Sequence, residues 1–205
     1  MKHTIVSVVD VYTPGDYELT YTLEDRSGNS VVVTRTITVM DGFLESRIEL
    51  FNTDFSTEQT APIPQPATTG WGWHGTGEFS VNMPGGDEGT AVIDVTNMGT
   101  VPHGVQFYQL NKVVETGGIY KMTFKMKASV ARNIRLSLEA GTNLRWFEVL
   151  DVTTEWATYE VIMTSIGSTY TNGKMAFFLG KVDDTSVLAT FEIDDVNITL
   201  LGYQS

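Results

Sequence analysis

The sequence predicts an all-β protein, on three observations. Helical periodicity is nearly absent along the chain. Segments that alternate apolar and polar residues, rich in Val, Ile, Thr and Tyr, recur throughout. Gly, Asn and Asp punctuate them at short intervals, as turns require. The chain has 205 residues, which allows one all-β domain or one domain with a smaller partner, and its 41% hydrophobic content is enough for a packed core.

The first block is residues 1–41. A turn is expected at Thr13-Pro14-Gly15-Asp16, a strand over Tyr17–Leu23, a turn at Asp25–Asn29 and a second strand over Val31–Met40. In that second strand Val31, Val33, Arg35, Ile37 and Val39 share one face. A hairpin of this size is marginal unless it docks on something. Asp41-Gly42 marks the boundary.

The second block, residues 44–205, suits a β-sandwich. A proline-spaced loop, Pro62-Ile63-Pro64-Gln65-Pro66, should be extended. Strands are predicted over 78–82, 90–96, 104–110, 119–129, 133–140, 144–152, 156–165, 174–181 and 189–201. Parity puts Tyr120, Met122, Phe124 and Met126 on one side of their strand, opposite Lys121, Thr123, Lys125 and Lys127. It puts Ile134, Leu136 and Leu138 opposite Arg135, Ser137 and Glu139.

The formal charge is −12. That argues against nucleic-acid and anionic-membrane partners, which need concentrated Lys and Arg. The absence of cysteine excludes disulfides, zinc-thiolate sites and Cys nucleophiles. No apolar run approaches the roughly 20 residues of a membrane-spanning helix. The N-terminus lacks the long apolar core and cleavage site of a signal peptide, so Met1 is expected to open a portion of a longer parent.

Catalytic patterns are weak. His3, His74 and His103 have no metal-ligand spacing, and there is no G-x-S-x-G elbow. The best enzymatic candidate is Glu192-Ile193-Asp194-Asp195-Val196-Asn197, where alternate carboxylates on one strand could face a cleft. The aromatic residues say more. Trp71 and Trp73 lie in Gly70–Gly77, a Gly-rich context unusual for core tryptophans. Exposed, they would stack on sugar faces; the alternative is that they plug the sandwich edge. If Phe147 and Val149 face the core, Trp146 and Glu148 face outward; the inverted assignment would bury Trp146. The same parity exposes Gln106 and Tyr108, and Arg135 is outward too. Flat rings with amide and guanidinium groups on neighbouring strands are what a sugar groove needs.

Two resemblances add to this. The stretch TPGDYELTYTLEDRSGNSVVVTRTITV resembles the C-terminal part of a bacterial immunoglobulin-like domain, which implies a spacer role. The second block resembles the β-sandwich carbohydrate-binding modules of families 4, 9, 16 and 22. The matching segments are Glu49–Phe55, Gly70-Trp71, Val105–Phe107, Gly118–Ser129, Trp156–Tyr159, Met175–Gly180 and Phe191–Val196. This implies a jelly-roll sandwich that binds polysaccharide or oligosaccharide, of β-glucan or xylan type, without catalysis. It implies a structural calcium, with Asp194 as a ligand and Asp54 contributing where Ser56 replaces the family's opening Glu. It also implies a secreted or cell-surface bacterial parent that carries a glycoside hydrolase catalytic domain. The rival is a structural or adhesive sandwich without sugar binding. Sugar binding calls for an exposed Trp71, Trp73 or Trp146; the rival calls for all three buried.

Overall fold

The computed structural model describes residues 2–6, 9, 15–25, 27–39, 46–47, 50–62, 70–86, 89–141, 143–164 and 167–203. The expected turn residues Thr13 and Pro14, the boundary Asp41-Gly42 and the loop positions 63–66 lie outside them. The chain divides into two compact units, Met1–Leu44 and Glu45–Ser205.

The first unit is a three-stranded antiparallel sheet in the order β1-β2-β3: β1 (Lys2–Val6), β2 (Gly15–Glu24) and β3 (Ser30–Val39). β2 and β3 are joined by a turn that Asp25 closes. Its Oδ1 accepts from the backbone N–H groups of Ser27 (2.8 Å) and Asn29 (3.0 Å), and its Oδ2 from the Asn29 side chain (2.9 Å). This is an Asx-type turn, the local chemistry that favours Asp there. β1 was not anticipated.

The second unit is a β-sandwich. One sheet has five strands in the order β11-β10-β13-β8-β5. They are β5 (Gly72–His74), β8 (Gln106–Val114), β10 (Arg132–Ala140), β11 (Asn143–Val152) and β13 (Tyr170–Phe178). The other sheet has the path β12-β9-β14-β7-β6, with β4 (Ser46–Arg47) added on β14. Its strands are β6 (Glu78–Gly85), β7 (Thr90–Asn97), β9 (Gly118–Ala128), β12 (Ala157–Thr164) and β14 (Thr190–Tyr203). All pairings are antiparallel among the described residues.

One core fills the space between the sheets. β9 contributes Met122, Phe124 and Met126; β10 contributes Ile134, Leu136 and Leu138; β8 and β13 contribute Phe107 and Phe177. The expected faces of β9 and β10 are therefore those observed. β14 changes parity within its length. Phe191 and Ile193 point inward, then Val196 and Ile198, because a register shift falls between Asp194 and Asn197. Asp195 there has φ of 50°, the left-handed conformation of a bulge residue.

Each of the nine strands expected in this block has an observed counterpart. β4 and β5 were missed. At two and three residues they are too short to carry an alternation pattern.

Candidate functional site

The outer face of the five-stranded sheet gathers polar and aromatic side chains into three cross-strand rows. The first row runs Val149, Arg135, Phe178, Gln106, His74 from β11 to β5. The second runs Phe147, Ser137, Ala176, Tyr108, Gly72. The third is Leu144, Glu139, Lys174. Period-two geometry places every one of these opposite the core residues of its strand.

The charged groups of this face are tied to its rings. Lys174 Nζ lies 2.5 Å from Glu139 Oε2 and donates to Gln106 Oε1 at 2.9 Å. It also stands 5.4 Å over the rings of Tyr108 and Phe178. The Arg135 guanidinium lies 4.3 Å from the Phe147 ring centroid and 5.7 Å from that of Phe178. Both are cation–π geometries. Burial pushes the Arg135 guanidinium below its ordinary value, partly offset by Glu139, and it stays protonated. His74 meets Tyr108 edge-on, with centroids 5.5 Å apart. Burial and then the Lys174 charge lower the pKa of His74, so its imidazole is neutral at pH 7.

Gln106 and Tyr108 point away from the core as expected, but they are only 6% and 4% exposed. Lys174 and His74 cover them. Gly72 makes room for the Tyr108 ring: a Cβ there would stand 2.5 Å from it. No other residue fits at that point of β5 without moving Tyr108.

The tryptophans overturn their expectations. Trp71 is 0% exposed and stacks on Phe107 in the core, with centroids 4.4 Å apart and planes 1° apart. Its Nε1 donates to the Asn52 carbonyl at 3.1 Å. Gln59 grips its backbone, accepting from Trp71 N (3.0 Å) and donating to Trp71 O (2.5 Å). The Gly-rich stretch is thus clamped rather than a free loop. Trp73 pairs with Phe107 and packs half-buried against the core.

Trp146 and Glu148 are on the wrong side as well. Their partners across β10 are Leu138 and Leu136, both core residues. Trp146 packs half-buried against the core with Leu150, while Glu148 is exposed at the rim. Phe147, 52% exposed, and Val149, 45% exposed, take the outer face. The reason is local: β11 is an edge strand, both of its residue sets mix apolar with polar, and a register shift falls between Leu138 and Glu139. None of the three tryptophans is fully exposed, so the exposure test based on them fails. Of the rings on that side of the sheet, Phe147 is exposed, while Tyr108 and Phe178 are buried beneath Lys174 and its neighbours.

Of the expected site residues, Gln106, Tyr108 and Arg135 come together. His74, Phe147, Phe178 and Lys174 were not among them. Glu139 was placed outward but not in the site. Alternation of Lys174 and Phe178 against the core residues Met175 and Phe177 was the available signal, blurred because both faces of β13 carry Phe.

The expected metal residues lie at the other sheet. β14 is tied to the 50–57 segment by Val196 N donating to Thr53 O at 3.1 Å. Asp54 Oδ1 accepts from Ser56 N (3.2 Å) and Ser56 Oγ (2.9 Å), which lowers its pKa. Asp194 is pushed up, first by burial and further by the charges of Asp195 and Asp54. Asp195 itself pairs with Lys125 at 2.7 Å. These are hard oxygen donors, suited to calcium rather than a soft metal. Among the described residues no group of three or more His, Cys, Asp or Glu could hold a metal, so backbone carbonyls and water would complete any coordination. Glu192, the enzymatic candidate, pairs with Lys127 at 2.9 Å on the outer face of the six-stranded sheet.

The fold is that of the β-sandwich carbohydrate-binding modules, a non-catalytic class, and the family comparison places the chain in it. The chain belongs to the family described as Carbohydrate binding domain, which matches residues 49–186. Residues 3–39 match the family described as Bacterial surface protein, Ig-like domain. Among solved structures, the chain is similar to a family-4 carbohydrate-binding module: 21% identity, TM-score 0.62, with 74% of this chain and 99% of that one covered. It is also similar to a Bacteroides thetaiotaomicron protein named for sugar binding: 17% identity, TM-score 0.54, with 76% and 100% covered. A third likeness is to the enzymatically active domain of tailspike protein 4 of bacteriophage CBA120: 15% identity, TM-score 0.52, with 74% and 21% covered. At these identities the likeness is one of fold. No curated protein sequence matches the chain.

Proposed function

We propose that the outer face of the five-stranded sheet holds a polysaccharide chain and so anchors a longer, secreted or surface-displayed bacterial protein to its glycan. The observation that carries this is the three-row array. The exposed Phe147 ring offers apolar contact, Arg135, Lys174, Glu139 and His74 offer polar groups to hydroxyls, and the buried Tyr108 and Gln106 hold Lys174 and His74 in place beneath them. The Lys174–Glu139–Gln106 network fixes these groups before a ligand arrives, which lowers the ordering cost of binding. Such a module raises the effective concentration of a linked glycoside hydrolase at its polymer. The surface-protein family of residues 3–39 supports an extracellular setting with a spacer. Among the described residues no helix is long and apolar enough to cross a membrane.

Calcium belongs to the same proposal. Asp54 and Asp194 would hold it, with backbone oxygens, and it would relieve the repulsion that raises Asp194. The ion would tie β14 to the 50–57 segment. The test is affinity electrophoresis of the full chain through a panel of soluble glycans, β-glucans and xylans first, with and without calcium. Retardation by at least one glycan is expected. Unretarded migration through the whole panel contradicts the reading.

A further inference from the structure

Two polar atoms on the binding face have no hydrogen-bond partner among the described residues: Arg135 Nε and Ser137 Oγ. Both atoms are buried, and Ser137 as a whole is 1% exposed. They belong to residues i and i+2 of β10, hence on one face and roughly 6–7 Å apart along the strand. A buried donor without a partner loses the hydrogen bond it would make in water, so two of them on one face favour an acceptor brought in by a ligand.

The charge balance says which acceptor. Glu139 is the carboxylate of the three rows, and it is engaged by Lys174 at 2.5 Å. Glu139, the carboxylate whose charge acts on Arg135, is therefore already committed to Lys174, and the Arg135 guanidinium is held between Phe147 and Phe178. We propose that the Arg135–Ser137 step receives a sugar carboxylate, so that the glycan bound here carries uronic-acid residues. A carboxylate presents two coplanar oxygens that match a guanidinium edge, and a charge-assisted bond is roughly twice as strong as one to a neutral hydroxyl.

The surroundings limit how many such groups are accepted. Asp151 pairs with Asn133 in the row beyond Val149 and Arg135, and Asp183 hydrogen-bonds the Asn133 side chain. A run of adjacent uronates would bring its next carboxylate against these acids. The fitting ligand is a neutral backbone with spaced uronic acids. The overall charge of −12 does not oppose this, since at physiological salt charges beyond about 8 Å are screened and the local cation decides.

This inference rests on the proposed glycan-binding face. Its test is isothermal titration of the full chain with glucuronoxylan and with the same polymer after reduction of its carboxyl groups to alcohols, at low and high NaCl. The native polymer is expected to bind at least about tenfold more tightly, with the gap narrowing at high salt. Arg135→Gln, checked for an unchanged circular dichroism spectrum, is expected to bring the ratio of the two affinities to about one. Should that variant unfold, the salt dependence of the wild-type ratio decides. Equal, salt-insensitive affinity for both polymers overturns the inference and leaves the proposed function standing. Failure to bind either form, or any glycan of the panel, overturns both.

Discussion

Exchanging the roles of two neighbouring aromatics gives a sharp test of which face of β11 meets the ligand. Trp146→Ala and Phe147→Ala remove rings one residue apart that point to opposite sides. A fully buried Trp or Phe costs about 3–5 kcal/mol when cut to Ala. Trp146 is half-buried against the core, so about 2 kcal/mol is expected. For a unit of this size that lowers Tm by roughly 4–8 °C. Its removal should leave glycan affinity within about threefold, because the ring does not reach the outer face. Phe147 is 52% exposed and fills no core space, so Phe147→Ala should shift Tm by less than about 2 °C. It removes the ring proposed to meet the sugar and the support 4.3 Å beneath Arg135. At about 1–2 kcal/mol, affinity should fall roughly 5- to 30-fold. Calorimetric melting and glycan titration of both variants decide. A Trp146→Ala protein of unchanged Tm that has lost its affinity, beside a Phe147→Ala protein that binds normally, would refute the face assignment.

Three further outcomes follow from the same structure. Saturating calcium should raise Tm by roughly 5–10 °C at a concentration 100-fold above Kd. Asp194 has a folded pKa above its unfolded one, so its carboxylate lowers stability as pH rises past the ordinary value near 3.8. Asp194→Asn should therefore melt no lower than wild type in EDTA yet lose the calcium gain; melting scans in both conditions check this. His74 has a folded pKa below 6.5, so protons bind the unfolded chain first and stability falls as pH drops below that value. His74→Gln should show a shallower loss of Tm between pH 7 and pH 5, read as the wild-type-minus-variant difference. Gly72→Ala should push Tyr108 off its place, since the new Cβ would stand 2.5 Å from the ring. A drop in glycan affinity of about tenfold or more is expected, because the Tyr108, His74 and Lys174 contacts share that ring.

The strands with one apolar and one polar face were legible in the sequence. β9 alternates Tyr120, Met122, Phe124 and Met126 with Lys and Thr, so burial alone fixes its register. β10 gave Arg135 and Glu139 their outward direction for the same reason. β11 was not legible, because Trp146 and Phe147 offer equal apolar bulk to either side and the choice is made by pairing with Leu138 on β10. Trp71 misled through its glycine neighbours. The residues that bury it, Phe107 beneath it and Asn52 and Gln59 around it, are distant in sequence and carry no local signal. The bulge at Asp195 changes which side of β14 faces the core, and its mark in the sequence is the pair Asp194-Asp195 that interrupts the alternation between Ile193 and Val196.

The central claim is that the outer face of the five-stranded sheet is the glycan site. The most direct measurement is a two-dimensional NMR titration of the isotope-labelled chain with a soluble oligosaccharide of a retarding glycan. Shifts are predicted at the amide signals of 72–74, 106–108, 135–139, 147–149 and 174–178, with Lys121, Lys125 and Lys127 on the opposite sheet, and Trp156 beside Lys127, unmoved. Shifts concentrated at Lys121, Lys125, Lys127 and Trp156, with the first set still, would contradict it.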